Sequence, residues 1–190
     1  MWALLTIWVG LLVSPARAQG APAGGEAFGQ AERVAGLDCQ LDPCAAVLPG
    51  ADHFEVVEGK PYVQGLDAQG EGVGWVVLST DVTDIKGYSG KPLSTLVGLD
   101  TEGVITGARV VHHSEPILLV GIPEKELVDF VEKHVDVPAT KKVVVGRTED
   151  PETLSLDAIS GATVTVLAES LTIMVSAQAL GQDVGVVERR

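Results

Sequence analysis

Between Asp157 and Thr165 the chain reads Asp157-Ala158-Ile159-Ser160-Gly161-Ala162-Thr163-Val164-Thr165, small residues and hydroxyls placed directly ahead of an apolar helical pattern. That order suits anion binding. A helix N-terminus leaves its leading N–H groups without intrahelical partners and carries partial positive charge, so it can hold a phosphate. Gly161 and Ala162 carry no bulky side chain and let the backbone approach a ligand. Thr163 offers a hydroxyl where the phosphate would sit. The plainer reading of the same residues is a capped helix and nothing more, because Ser, Thr and Asp are ordinary N-cap residues.

Other side chains could serve such a site. Lys86 and Lys91 could help neutralise a phosphate, although exposed lysines often do nothing specific. Tyr88 or Trp75 could stack on a ring, although a tryptophan in such a strand is more often core. His112 and His113 are adjacent, so on a strand they point to opposite faces and cannot chelate together. Cys39 and Cys44 are the two cysteines of the chain; in an oxidising compartment they suit a local disulfide, with a redox-active pair as the alternative. Two cysteines alone make a poor zinc site.

The elements that must position these residues are legible from pattern. Residues 73–80 are rich in β-branched and aromatic types and predict a strand. Residues 85–92 form a loop with two glycines. Residues 93–99 and 104–112 predict two strands joined by the turn Asp100-Thr101-Glu102-Gly103. Pro123-Glu124-Lys125-Glu126 opens a helix, with Pro in its first turn and acids near its positive end. Leu127, Phe130, Val131 and His134 share one face of it. Residues 141–146 predict a short strand, and 148–156 a polar loop containing Pro151. The last helix is predicted over 163–179, burying Val164, Leu167, Ala168, Leu171, Met174 and Val175. Short strands, one clear hairpin and separated helices indicate an α+β domain with an antiparallel sheet packed against helices.

Length and composition bound the rest. The 190 residues suffice for one domain with a core, and 46% hydrophobic content excludes a disordered chain. The formal net charge of −13 disfavours nucleic-acid contact. Residues 2–13 form an apolar run of about a dozen residues, short for a bilayer span. Ala16-Arg17-Ala18 then offers a small-x-small cleavage site, so residues 1–18 read as an export signal, without the usual preceding positive charge. A short buried or anchoring helix is the alternative. The expected organisation is a signal over 1–18, a flexible linker over 19–33, and an N-terminal part of the domain over 34–71. The main domain is expected over 72–181, with a tail over 182–190 leading toward a membrane region beyond this chain.

The run from Asp157 to Thr163 resembles the Asp-x-x-(Ser/Thr)-Gly-Ala-Thr signature of the FMN-binding domain family. Gly87-Tyr88-Ser89-Gly90-Lys91-Pro92, Asp100-x-x-Gly103-x-Ile105 and the stretch from His112 to Pro123 precede it in the family's order. The first and last of these are similar to the NosR/NirI branch, itself related to the RnfG and NqrC flavin subunits. The resemblance implies flavin mononucleotide joined by a phosphoester to Thr163, with Ser160, Gly161, Ala162 and Asp157 shaping its loop. It implies further contacts from Tyr88, Glu115, Pro116 and Ile117, with Glu115-Pro116 in a loop beside the ring and Glu115 hydrogen-bonding to the isoalloxazine or its ribityl chain. One of the two histidines is a further candidate to face the ring. Maturation would need a flavin transferase with a divalent metal. The implied setting is periplasmic, tethered to the inner membrane. The implied partner is a membrane quinol module or nitrous oxide reductase, and the implied role is electron supply to that enzyme and expression of its gene. A flavin-based redox sensor, or a structural interaction domain whose Ser-Gly-Ala-Thr stretch is only a cap, are the alternatives.

Overall fold

The computed structural model describes residues 36–189. The export signal expected over 1–18 and the linker expected over 19–33 lie outside the described residues. A short helix α1 (Cys44–Val47) leads into strands β1 (His53–Val56), β2 (Tyr62–Leu66) and β3 (Gly72–Leu78). After a 3₁₀ turn at Ser79–Asp81 come β4 (Ser94–Asp100) and β5 (Ile105–His112). Helices α2 (Pro116–Val120) and α3 (Glu124–Glu132), strands β6 (Lys142–Val145) and β7 (Thr153–Leu156), and the long helix α4 (Thr163–Val184) complete the chain.

Strands β1 to β5 form one antiparallel sheet in sequence order, and β6 and β7 form a separate parallel pair. The fold is α+β, as the short strands and separated helices predict. The hairpin of β4 and β5 closes as expected: Asp100 Oδ1 accepts the N–H groups of Glu102 and Val104, both at 2.9 Å. The strands β1 and β2, which show little patterning in the sequence, extend the same sheet on its far side. The loop expected over 148–156 ends in β7, because the chain returns through the polar turn at Asp150 to the start of β6 and Thr153 to Leu156 pairs parallel beside it.

The sheet buries apolar side chains on both faces, which suits the β4 pattern of unbroken burial. Val97 and Leu99 pack with α3 and α4 residues such as Phe130, Ile173 and Ala177. Leu96 points the other way and joins Cys44, Val47 and Leu48 around α1. A disulfide between Cys39 and Cys44 closes the entry to α1, as their spacing allows. On α3, Leu127, Phe130 and Val131 are buried, and so is His134 just beyond it. Its Nε2 meets Ser170 Oγ at 2.9 Å, and burial pushes the pKa of the imidazole down.

The predicted face of α4 holds only in part, at the buried Ala168 and Met174, and the helix continues to Val184. Val164, Leu167 and Leu171 are exposed at 52%, 45% and 53%. The buried side instead carries Val166, Ile173, Ala177 and Leu180 together with Thr165, Glu169, Thr172 and Ser176. Two apolar stripes compete on this helix, so periodicity alone does not decide which one turns inward. By length and hydropathy α4 could cross a bilayer, but 67% of its most apolar window is buried inside the domain.

Gly98 and Gly107 are register partners on β4 and β5, and α1 lies directly over them. A Cβ on Gly98 would stand 2.0 Å from the Val47 carbonyl oxygen, and one on Gly107 2.6 Å from Val47 Cα. Backbone cannot yield as a side-chain tip can. Gly98→Ala is therefore expected to destabilise the domain by about 3 kcal/mol through overpacking. Thermal denaturation checks it; an unchanged midpoint would show that α1 lifts away freely.

Candidate functional site

The signature residues gather where α4 begins. Gly161 adopts φ +86°, the left-handed conformation that favours glycine, and turns the chain into the helix. Ala162 is the N-cap and supplies no side-chain hydrogen bond. The first intrahelical bond runs from Val166 N–H to Ala162 O at 3.0 Å. The leading N–H groups are thus left without a side-chain cap, and the first turn holds no acidic residue of its own. Thr163 is the first helical residue and its side chain is exposed, as are Asp157 and Ser160.

Glu115 ties this helix start to the rest of the site. Its side chain is fully buried. Its carboxylate accepts the N–H of Tyr88 at 3.1 Å and the N–H of Ser89 at 3.0 Å. The hydroxyl of Thr165 donates to Glu115 Oε2 as well. One carboxylate therefore joins the Gly87–Gly90 loop to the first turn of α4. Gly87 must lack a side chain for this, since a Cβ there would lie 2.5 Å from Glu115 Oε1. The residue before a proline favours extended backbone, and Glu115 at φ −72°, ψ 113° takes it ahead of Pro116. Pro116, expected in a loop, instead opens the short helix α2, with Ile117 behind it. Proline is well tolerated at a helix start, which the loop reading left out.

His113, just past the end of β5, is buried, and His112, its last residue, is half-buried. The Glu115 N–H donates to His113 Nδ1 at 3.2 Å. Burial pushes the pKa of His113 down, which fits an unprotonated accepting nitrogen. Tyr88 is 69% exposed, so its ring is free to meet a ligand. Trp75 is partly buried against the core. Lys86 pairs with Asp84 at 3.7 Å, and Lys91 is exposed.

Beside the helix start, a groove of about 760 Å³ runs between α4 and β6. Val164, Leu167 and Leu171 line one side and Val143 another, with Lys86 and Lys142 among its residues. Its volume lies in the range of small-molecule sites. An exposed hydroxyl, uncapped N–H groups, an apolar wall and nearby lysines suit a phosphate carrying a planar ring.

One buried group escaped the sequence reading. Glu169, one turn beyond Thr165, is fully buried on the inner face of α4. Thr95 of β4 donates its hydroxyl to Glu169 Oε1 at 2.6 Å, while Oε2 has no hydrogen-bond partner. Burial pushes the Glu169 pKa up to about 7; the Thr95 bond opposes the shift and the nearby Glu115 adds to it. Helical spacing from Thr165 was the available signal.

Comparison with known proteins agrees with this geometry. A family model described as FMN-binding domain matches residues 87–171. The chain is 37% identical over 189 residues to Regulatory protein NosR of Pseudomonas aeruginosa, covering 100% of this chain and 24% of that protein. It is 38% identical over 159 residues to Regulatory protein NosR of Stutzerimonas stutzeri, covering 84% and 21%. Protein NirI of Paracoccus denitrificans is 31% identical over 185 residues, covering 94% and 24%. The chain belongs to the NosR/NirI family of FMN-binding domains. It spans about a quarter or less of the length of these relatives. The family match begins at Gly87 and takes in Glu115, Thr163, Thr165 and Glu169.

Two outcomes follow for this FMN-binding domain. Glu115→Gln turns one accepting oxygen into an N–H donor that faces other donors, so it should cost about 2 kcal/mol. Amide exchange at Tyr88 and Ser89 should accelerate; unchanged protection would mean the loop is held by other contacts. Glu169 carries a raised pKa, so the folded state binds the extra proton. Its contribution is unpenalised below the ordinary 4.5, and stability is lost as pH rises toward about 7, by on the order of 3 kcal/mol. Glu169→Gln should flatten that decline in urea titrations run across this window.

Proposed function

We propose that this FMN-binding domain holds FMN as a phosphoester of Thr163 and works as the periplasmic electron-transfer domain of a NosR-like protein. The observation that carries this is the exposed Thr163 hydroxyl at the uncapped start of α4, held against the Gly87–Gly90 loop by Glu115. Bound flavin supplies reversible acceptance of electrons. The residues of the chain do the rest. The leading N–H groups of α4 face the phosphate, and Lys86 and Lys91 lend positive charge. The apolar side of Val164, Leu167 and Leu171 suits the ring, and Tyr88 is available to stack on it. Glu115 is a positioning residue in this reading, since its oxygens accept protein donors.

A flavin transferase would make the phosphoester, and a quinol module or nitrous oxide reductase would be the redox partner. A regulatory reading has its own support: two relatives are named Regulatory protein NosR, so the flavin could report redox state to a partner without sustained turnover. Electron flow to an added partner at respiratory rates favours the first reading, and its absence the second.

The covalent reading is tested by producing the chain in a host with a periplasmic flavin transferase. After denaturation the wild-type band should fluoresce and show the added mass of FMN, and Thr163→Ala should do neither. A dark wild-type band beside a labelled control flavoprotein would overturn it.

A further inference from the structure

We infer that Glu169 is a proton-binding site coupled to the charge of the flavin on α4, taking a proton from solvent when the flavin gains an electron. This rests on the proposed attachment at Thr163. The balance is simple: an external reductant, dithionite in the test below, supplies the electron. Solvent supplies the proton, which forms an O–H bond at Glu169 Oε2. The carboxylate goes from charged to neutral as negative charge is added nearby, and reoxidation reverses both.

The geometry for this is specific to one helix face. Glu169 lies four residues after Thr165, so their side chains share a face of α4. Thr165 is bonded to Glu115, and Glu115 acts electrostatically on Glu169. Thr163 precedes Glu169 by six residues, about 9 Å along a helix axis. Charge placed at the exposed Thr163 lies within this distance of Glu169, whose own carboxyl is buried and so weakly screened. Oε2 is buried without a hydrogen-bond partner, and such an atom is costly as a charged acceptor yet ready to take a proton. Thr172 and Ser176, three and seven residues on, also bury hydroxyls without partners and continue the same polar seam.

Among the described residues, no cation acts on Glu169. The elements packed on α4 carry Asp81 on the 3₁₀ turn, Asp100 on β4 and Lys142 on β6. They also carry Glu124, Lys125, Glu126, Asp129 and Glu132 on α3, with His134 behind it. Strand β3 carries no charged residue. Among these neighbours and Glu115, it is Glu115 whose charge acts on Glu169, and Thr95 whose hydroxyl bonds to it.

The test uses flavin-loaded full chain and infrared difference spectra between oxidised and dithionite-reduced protein near neutral pH. Reduction should bring up a carboxylic-acid C=O band that shifts in D₂O and is missing in Glu169→Gln. Thr95→Val removes a bond that favours the charged carboxylate, so it should move the band's pH midpoint upward. The flavin midpoint potential should lose its inflection near neutral pH in Glu169→Gln while intact mass shows the flavin still attached. A loaded wild type without the band, or a band that persists in Glu169→Gln, overturns the proton coupling alone. A wild type that carries no flavin mass overturns the attachment reading and this inference with it.

Discussion

The site depends on one buried carboxylate. A charge removed from water is tolerated only when hydrogen bonds replace its solvation. Glu115 meets that condition by drawing donors from two places far apart in sequence, the Tyr88–Ser89 backbone and the Thr165 hydroxyl. Charge-assisted bonds of this kind are stronger than neutral ones. The loop cannot move off α4 without stranding the charge. Gly87 has no freedom to become larger, and Pro116 fixes the backbone from which the carboxylate reaches. Thr163 is presented to solvent because the side of the helix start that carries Thr165 is engaged inward.

Helix α4 then accommodates a second acid on the same inner face. Thr165, Glu169, Thr172 and Ser176 make a polar seam within an otherwise apolar interface with β4. An apolar replacement would pack more simply and avoid the cost of an unpartnered carboxyl. Glu115, from the start of α2, meets α4 at Thr165, and Glu169 lies one turn further along α4. Burial of Glu169, with a smaller contribution from the nearby Glu115, pushes the Glu169 pKa up. Glu115 has three protein donors on its carboxylate, whereas Glu169 has the Thr95 hydroxyl on one oxygen and no partner on the other.

Much of this was legible in the sequence, and what was not has physical reasons. The β4–β5 hairpin was clear because Asp100 and Gly103 are turn formers between alternating strands. Helix α3 was clear because its acids, proline and apolar face agree. The start of α4 at Thr163 was clear from small residues ahead of an apolar run. The inward face of α4 was not, since Val164, Leu167 and Leu171 compete with Val166, Ile173 and Ala177 for the core. Tertiary packing against β4 and β6 decides between them. The burial of Glu115 and Glu169 was hidden for a related reason. A carboxylate enters the interior only where partners distant in sequence meet it, and Tyr88, Ser89 and Thr95 are such partners.

The outward apolar stripe has a consequence for how a flavin could be held. Val164, Leu167 and Leu171 form a wall along a groove that stays open to solvent, and Tyr88 stands exposed. A ligand resting on one wall buries less surface than one enclosed on all sides, so contact alone gives modest affinity. The uncapped N–H groups and nearby lysines add attraction for phosphate, but exposed charge pairs contribute little. Outside the cytoplasm free flavin would be dilute, and a modest site would stay empty. A phosphoester at Thr163 removes that requirement, because retention then no longer depends on affinity. The same openness would leave an edge of the ring near the surface, where a redox partner can approach. The proposed phosphoester is consistent with the open groove: a site open to a partner is poorly built for retention, and a covalent anchor would resolve that conflict.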